Sequence, residues 1–138
     1  MVVSEHIDLK TRGDADMIDI TDAVAAKVRD SGIASGAVTV FCPGSTSAVT
    51  TIEYESGALS DLERLFDELV PPAREYAHNL RWGDGNGHSH VRAALLGPSL
   101  TVPFADGRLL LGTWQQLTYI DFDNRPRSRT LILQIIGE

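Results

Sequence analysis

Two of the four histidines, His88 and His90, stand two residues apart in the glycine-rich segment GDGNGHSH at residues 83–90. Imidazole titrates near neutrality and is the commonest nitrogen ligand of zinc-like metals. On a regular helix the two side chains would point about 200° apart, because each residue turns the helix by ~100°. If the chain is extended up to Ser89, both could converge. We expect ligand binding or acid–base chemistry here, with His78 as a further contributor, although hydrogen-bonded loop histidines would show the same spacing.

A row of hydroxyl groups that ends in carboxylates is the second chemical feature. If residues 45–55 form a strand, side chains of alternate residues share one face, from Ser45 and Ser47 to Glu53. Glu53 in a polar cavity could act as a general base or as an oxygen ligand of a metal. A solvent-facing strand explains the same pattern equally well. The GxSxG signature is absent, so Ser47 is not interpreted as a hydrolase nucleophile.

In the last quarter of the chain, the side chains that could contact a ligand carry amide, indole and guanidinium groups. Gln115 and its neighbour Gln116 would point to opposite faces of a strand, and Trp114 is expected in the core because large aromatic side chains dominate buried area. Arg127 and the arginines at 125 and 129 are spaced by two, so their guanidinium groups could bind phosphate or carboxylate oxygens. Salt bridges to the acidic surface are the competing account, which we prefer.

Composition limits the class of protein. The chain has 138 residues, 43% of them hydrophobic, a formal net charge of −7 and a pI near 5.0. One domain over residues 1–138 is expected, and nucleic acid and anionic membranes are disfavoured as partners, since both select basic surfaces. Cys42 is the only cysteine and is expected to be a buried spectator. With no signal-peptide pattern and no long apolar stretch, a cytoplasmic protein is expected.

Local patterns indicate the elements that must position these groups. Thr21 is a candidate N-cap for a helix over 22–31, and SDLE at residues 60–63 is a candidate capping box for a helix that Pro71 ends. Another short helix is predicted over 88–96. The remaining apolar, β-branched runs predict strands over 2–11, 37–42, 47–55, 100–104, 109–122 and 130–136.

Two connections define the predicted topology. The strands at 37–42 and 47–55 suggest one hairpin, and ADGR at residues 105–108 suggests another, with Gly107 supplying a positive φ. Sequential hairpins with interspersed helices indicate an α+β fold with a largely antiparallel sheet. The predicted order is β-α-β-β-α-α-β-β-β.

Five motifs, in this order, resemble the YjbQ-like family, whose members are also called secondary thiamine-phosphate synthases. The resemblance runs from about Phe41 to Glu138. It implies a small α+β domain, a homotrimer, and a polar pocket with histidines and a divalent metal such as Mg, Mn or Zn. The motifs are GSTSAVTTIEYE, YAH, GDGNGHSHVRAALLGPSLTVP, DGRLLLGTWQQ and NRPRSR.

The resemblance also implies site residues. His90 stands at the histidine of the family's Ala-His-Leu-Lys motif and Arg92 at its lysine; His78 follows Tyr76, as in the family. Metal binding is expected by His78, His90 and Glu53, and catalysis by Glu53 and His90. The resemblance implies the two histidines, whereas Glu53 follows from its position in the strand pattern. The expected substrate contacts are Ser47, Asn86, Arg92, Gln115 and Arg127.

One departure from the family pattern bears on the site. Where the family strand begins His-Thr, this chain has Ser45 and Thr46, and a carboxylate, Glu53, stands at the family's asparagine. We hypothesise that Glu53 takes over part of the role of the missing histidine, which would make the site richer in oxygen and favour magnesium or manganese. His88 is the alternative replacement.

The implied activity joins a thiazole phosphate to a pyrimidine diphosphate and releases pyrophosphate. The expected partner is thus a small phosphorylated metabolite, whose phosphate would meet the helix N-terminus near Asn86, where free N–H groups favour anions. A non-catalytic trimer that binds a metabolite or a metal accounts for the same residues. A metal-dependent hydrolase is the third candidate and requires a metal with an open water position.

Overall fold

Eight strands and four helices follow one another along the chain, and a computed structural model describes all residues from 1 to 138. The strands are β1 Val2–Thr11, β2 Asp16–Asp19, β3 Gly36–Phe41, β4 Ser47–Ile52, β5 Ser99–Ala105, β6 Arg108–Leu109, β7 Gln116–Asp121 and β8 Arg127–Gly137. The helices are α1 Thr21–Asp30, α2 Ser56–Leu69, α3 Ala77–Trp82 and α4 Gly87–Leu96.

The strands form two antiparallel sheets. The larger has the order β1-β8-β3-β5-β6 and the smaller the order β2-β7-β4. This confirms the α+β class with antiparallel strands. The predicted element order is also observed once three short elements that the sequence did not reveal, β2, α3 and β6, are set aside.

The smaller sheet lies between two apolar clusters because side chains alternate along its strands. Leu117 and Tyr119 of β7 join the larger cluster, which also contains Val24 and Val28 of α1 and the inner residues of the larger sheet. The opposite face contributes Ile120 to the second cluster, which includes side chains from α2 and α4, among them Phe66 and Ala93. Helix α4 is therefore fixed against the outer face of the smaller sheet. No helix combines the length and the apolar character that crossing a bilayer requires.

The predicted hairpin of β3 and β4 is wrong. β3 pairs with β5 and β8 in the larger sheet, whereas β4 pairs with β7 in the smaller one. β3 has a partner on each side, so no edge is left for β4. Residues 42–46 therefore carry the chain from one sheet to the other.

Helix α2 begins four residues before the predicted capping box. The Glu55 carboxylate caps it by accepting hydrogen bonds from the N–H groups of Gly57 and Ala58, both at 2.8 Å. These two bonds hold the pKa of Glu55 below its ordinary value. Ser60 therefore lies inside the helix. The predicted end before Pro71 is confirmed, since the helix stops at Leu69.

The C-terminal part contains one confirmed turn and one correction. Asp106 and Gly107, at φ 52° and 70°, form the turn that joins β5 to β6. The strand predicted over 109–122 is interrupted between β6 and β7. Trp114 lies in that interruption with 72% of its surface exposed, so its expected place in the core is wrong.

Charged side chains close one end of the space between the sheets. Arg129 of β8 donates to both carboxylate oxygens of the fully buried Asp121, at 2.8 and 2.9 Å. The hydroxyl of Thr11 donates to the same carboxylate at 2.6 Å. The hydrogen bonds that Arg129 donates to Asp121 raise the pKa of Arg129. Arg127 forms a second ion pair, to Asp123 at 3.0 Å. Both arginines thus form salt bridges, but with buried carboxylates and not with the acidic surface expected from the sequence.

Candidate functional site

A small cavity opens between the loop that enters β4 and the exposed face of α4. Its volume is about 230 Å³, below the ~300–1,000 Å³ typical of pockets for drug-sized ligands. No carboxylate lines it. The lining residues are Gly44, Ser45, Ser47, His90, Ala93, Ala94 and Pro98.

His90 projects from the first turn of α4, and a network of hydrogen bonds fixes that turn. The Asn86 side-chain oxygen accepts from the Ser89 hydroxyl at 2.7 Å and from the Asn124 N–H at 3.0 Å. The Phe122 carbonyl also lies within hydrogen-bond distance of the Ser89 hydroxyl, whose single proton is shared between the two oxygens. Neither ring nitrogen of His90 makes a hydrogen bond within the chain. The position of the imidazole is thus fixed by the helix, while its nitrogens remain available to a ligand.

His78 packs directly against His90. The ring centroids are 4.3 Å apart, with 42° between the ring planes. Nδ1 of His78 lies 3.3 Å from a carboxylate oxygen of Asp84, close enough for an ion pair when the imidazole is protonated. The structure therefore brings Asp84, His78 and His90 together in that order, ending at the cavity.

His88 lies elsewhere. Both histidines are within the regular helix α4, so their side chains leave it about 200° apart. The His88 ring is buried beside Tyr76, 6.4 Å between ring centroids, and burial lowers its pKa. His88 does not line the cavity, and it therefore does not stand in for the histidine missing at Ser45.

Glu53 also lies apart from the histidine pair. It follows the end of β4, is exposed, and lines a separate groove with Trp114 and Gln116. The chain contains no group of three or more histidine, cysteine, aspartate or glutamate side chains placed to hold one metal ion. A catalytic zinc site uses three protein ligands and a structural site four. One chain supplies only the His78–His90 pair, so its own donors do not fit a resident metal.

The expected substrate contacts do not converge on the cavity. Arg92 is only 4% exposed, and its guanidinium donates to the carbonyl of Val70 and to the Asp67 carboxylate. Asn86 stands at the N-cap position of α4 and is buried, but its side chain bonds the Ser89 hydroxyl and the Asn124 N–H rather than a main-chain N–H of the helix. Within one chain, the side chains of Arg92 and Asn86 are therefore both engaged in internal hydrogen bonds.

The other three expected contacts lie in three different places. Gln115 is exposed, with its amide 3.4 Å from the Thr51 hydroxyl, and Arg127 pairs with Asp123. Ser47 lines the cavity but is 2% exposed, and its hydroxyl has no hydrogen-bond partner. Ser47 is therefore the only one of these five side chains at the cavity.

The hydroxyl of Tyr119 is also buried and without a hydrogen-bond partner. Burial raises the pKa of Tyr119 to about 12.

The N-terminus of α4, expected from the sequence to bind phosphate, has few main-chain N–H groups left for an anion. Two of its leading N–H groups already have acceptors in the chain. The N–H of Asn86 donates to Asp84 at 3.1 Å and that of Gly87 to the Asn79 side chain at 2.8 Å. Sequence reasoning named the histidines but not these acceptors, although Asp84 stands in the same glycine-rich segment.

These features define a class: a small α+β protein of two antiparallel sheets, with a histidine-bearing cavity between α4 and the start of β4. A model of the family described as "UPF0047 protein YjbQ-like" matches residues 5–138. The chain belongs to this family.

Relatives and solved structures agree over nearly the whole chain. A UPF0047 protein of Methanothermobacter thermautotrophicus is 39% identical over 99% of this chain and 94% of its own length. YugU, a UPF0047 protein of Bacillus subtilis, is 36% identical over 95% of this chain and 97% of its own. The crystal structure of a YbjQ-like protein of unknown function from Sulfolobus solfataricus superposes with a TM-score of 0.94 at 33% identity, covering 100% of this chain and 99% of that one.

Proposed function

We propose that this protein acts on a small phosphorylated metabolite bound at the His90 cavity, with His90 as the acid–base group. The observation that carries the proposal is the state of the His90 imidazole: it is positioned by α4, packed against His78, and free of hydrogen bonds at the wall of a cavity. An imidazole whose nitrogens have no partner within the chain can donate a proton to a bound ligand or accept one from it.

The specific reaction that we propose is the transfer implied by the family resemblance. It forms a bond between the thiazole and the pyrimidine and breaks the bond from the pyrimidine to its diphosphate. The bonding electrons leave with the diphosphate as pyrophosphate. His90 stabilises the departing group by donating a hydrogen bond or a proton to its oxygens, and His78 holds the His90 ring in place. The cavity of one chain is small, so we place the second substrate against a neighbouring subunit of the proposed homotrimer.

The transfer is tested by incubating the purified protein with the pyrimidine diphosphate and the thiazole phosphate, with and without magnesium. We expect thiamine phosphate and pyrophosphate in equal amounts, measured by mass spectrometry and a pyrophosphate assay. A heat-denatured sample controls for uncatalysed coupling. Absence of product, together with absence of binding of either substrate in calorimetry, contradicts the proposal.

A non-catalytic metal-binding role is the second candidate, and the contact between His78 and His90 favours it. Two adjacent imidazoles supply part of a zinc or manganese site, and other subunits would have to supply the remaining ligands. Elemental analysis of protein purified without a histidine tag tests this role. We expect an integral number of ions per chain or per trimer, which falls when His78 is replaced by Gln. Metal that is substoichiometric and unchanged in that variant excludes the role.

A further inference from the structure

We infer that the oxyanion end of the ligand, a phosphoryl group, is bound by the main chain of Gly44 and Ser45 opposite His90. The inference rests on the proposed function and assigns the substrate's phosphate to the loop between the two sheets. This differs from the expectation that the start of α4 binds it.

The loop presents unused main-chain hydrogen-bond donors at the cavity. Gly44 and Ser45 line the cavity and are exposed, and neither N–H group donates a hydrogen bond within the chain. Backbone N–H groups without a protein acceptor are bonded to water or to a ligand. Successive free N–H groups in a turn form concavities that bind anions. Gly44 has a φ of 116°, a conformation that favours glycine.

The cavity differs in charge from the molecule as a whole. The overall net charge is −7, yet the cavity contains no carboxylate and faces His90. A Cβ added at Gly44 would lie 3.5 Å from Nη1 of Arg129, so this nitrogen lies close to the loop although Arg129 does not line the cavity itself. Nη1 makes no hydrogen bond within the chain, unlike Nε and Nη2 of the same guanidinium. The cavity is therefore lined by no negative charge, and one unused guanidinium nitrogen lies near the loop.

Internal hydrogen bonds hold the loop in place before any ligand binds. The Thr46 hydroxyl donates to Asp123 at 3.0 Å and accepts from Nη2 of Arg129 at 2.7 Å. Thr46 is also 6% exposed, and its carbonyl accepts the N–H of Phe122. A loop fixed in this way loses little entropy on binding. At the start of α4, by contrast, Asp84 already accepts the N–H of Asn86.

The size of the cavity fits this assignment. A volume of about 230 Å³ holds a phosphoryl group with a short attachment rather than a large ligand. The ligand class is therefore a small phosphate monoester or the end of a diphosphate.

The test measures binding of inorganic phosphate and pyrophosphate to the full chain by isothermal titration calorimetry. The central variant is Ser45→Asp, which places a carboxylate at the rim of the loop. We expect it to weaken the binding of both probes at least tenfold, because like charges would lie close together. Ser45→Ala keeps the main-chain N–H groups and should bind within about twofold of the unchanged protein, well under the 1.4 kcal/mol of a tenfold change. Ser60→Asp, an exposed position on α2, makes the same charge change away from the cavity and should leave binding unaltered.

Several results of these measurements would contradict the assignment of phosphate to the loop. Failure of the unchanged protein to bind either probe, equal weakening by Ser45→Asp and Ser60→Asp, or unchanged binding in Ser45→Asp overturns the inference. Loss in Ser45→Ala as large as in Ser45→Asp also overturns it, because the hydroxyl would then be the contact. Phosphate binding at the loop without transfer contradicts the proposed reaction alone, whereas transfer that Ser45→Asp leaves unchanged contradicts the loop assignment alone.

Discussion

Asp121→Ala should lower the free energy of unfolding by about 3 kcal/mol, the low end of the range for breaking a buried ion pair. It removes the carboxylate that Arg129 binds most closely and leaves only Asp123, 3.7 Å from Nη2, as a charged neighbour. Asp121 is fully buried and receives two hydrogen bonds from Arg129 and one from the Thr11 hydroxyl. These three bonds connect β7 of the smaller sheet with β1 and β8 of the larger one. Removing the carboxylate therefore weakens the contact between the sheets and leaves several buried donors unpaired at once. Urea denaturation followed by circular dichroism measures the change.

The matched control is an ion pair on the surface. Asp61 pairs with Arg64 at 3.1 Å on α2, and both side chains are 71% exposed. Asp61→Ala should cost at most about 1 kcal/mol, since water screens an exposed pair. Replacing both members of the inner pair, Asp121→Leu with Arg129→Met, should recover part of the loss, because no unpaired charge remains. If Asp121→Ala costs no more than Asp61→Ala, the ion pair is not what holds the two sheets together.

His90→Gln should reduce the rate of the proposed transfer by about 10²–10⁴-fold, the usual contribution of a general acid or base. Glutamine retains a polar side chain on the exposed side of α4 but cannot transfer a proton near neutral pH. Since His90 makes no internal hydrogen bond, its replacement should leave the melting temperature nearly unchanged. The measurement is the initial rate of pyrophosphate release at saturating substrates, together with a thermal melt.

His6→Gln is the control for this substitution. His6 is on β1 with 63% of its side chain exposed, and its only ionic neighbour is Asp8 at 3.8 Å. This variant should react at the rate of the unchanged protein. A His90→Gln rate within a factor of two of the control would remove His90 from the chemistry, and the proposed mechanism with it.

Features that depend on local sequence patterns could be predicted from the sequence. Apolar, β-branched runs located most strands, and the Asp106–Gly107 turn followed from residue types that tolerate positive φ. The end of α2 before Pro71 followed from the missing N–H group of proline. The start of the same helix did not, because Ser60 and Glu63 match a capping box while Glu55 provides the actual cap.

Long-range placement was the part that local patterns could not provide. The short connection between β3 and β4 predicted a hairpin, yet both strands pair with strands far along the chain. Which strands pair depends on the competition among all of them, and a local pattern does not contain that information. Glu53 shares a strand pattern with Ser45, but it lies beyond the end of β4 and lines another groove. Trp114 was expected in the core from its size alone, and a local turn leaves it exposed.

Within the candidate site, the identity of the groups was easier to predict than their contacts. His78 and His90 were named from the sequence, and their direct contact results from the way α3 and α4 lie side by side. Arg92 has the side chain of a phosphate ligand, but it is bound by Val70 and Asp67 of the α2 region. Residue type indicates what a group can bind, and the packing of helices determines whether it is free to do so.

Arg129 has a consequence for how ligand occupancy and folding depend on each other. The Arg129 guanidinium donates hydrogen bonds to Asp121 of the other sheet and also to Thr46 in the loop proposed to bind phosphate. By thermodynamic linkage, a phosphate ligand that binds only the folded chain should raise its melting temperature as the ligand concentration increases. Any substitution that weakens these hydrogen bonds of Arg129 should then lower the affinity for the ligand as well, even where the substituted residue lies far from the cavity.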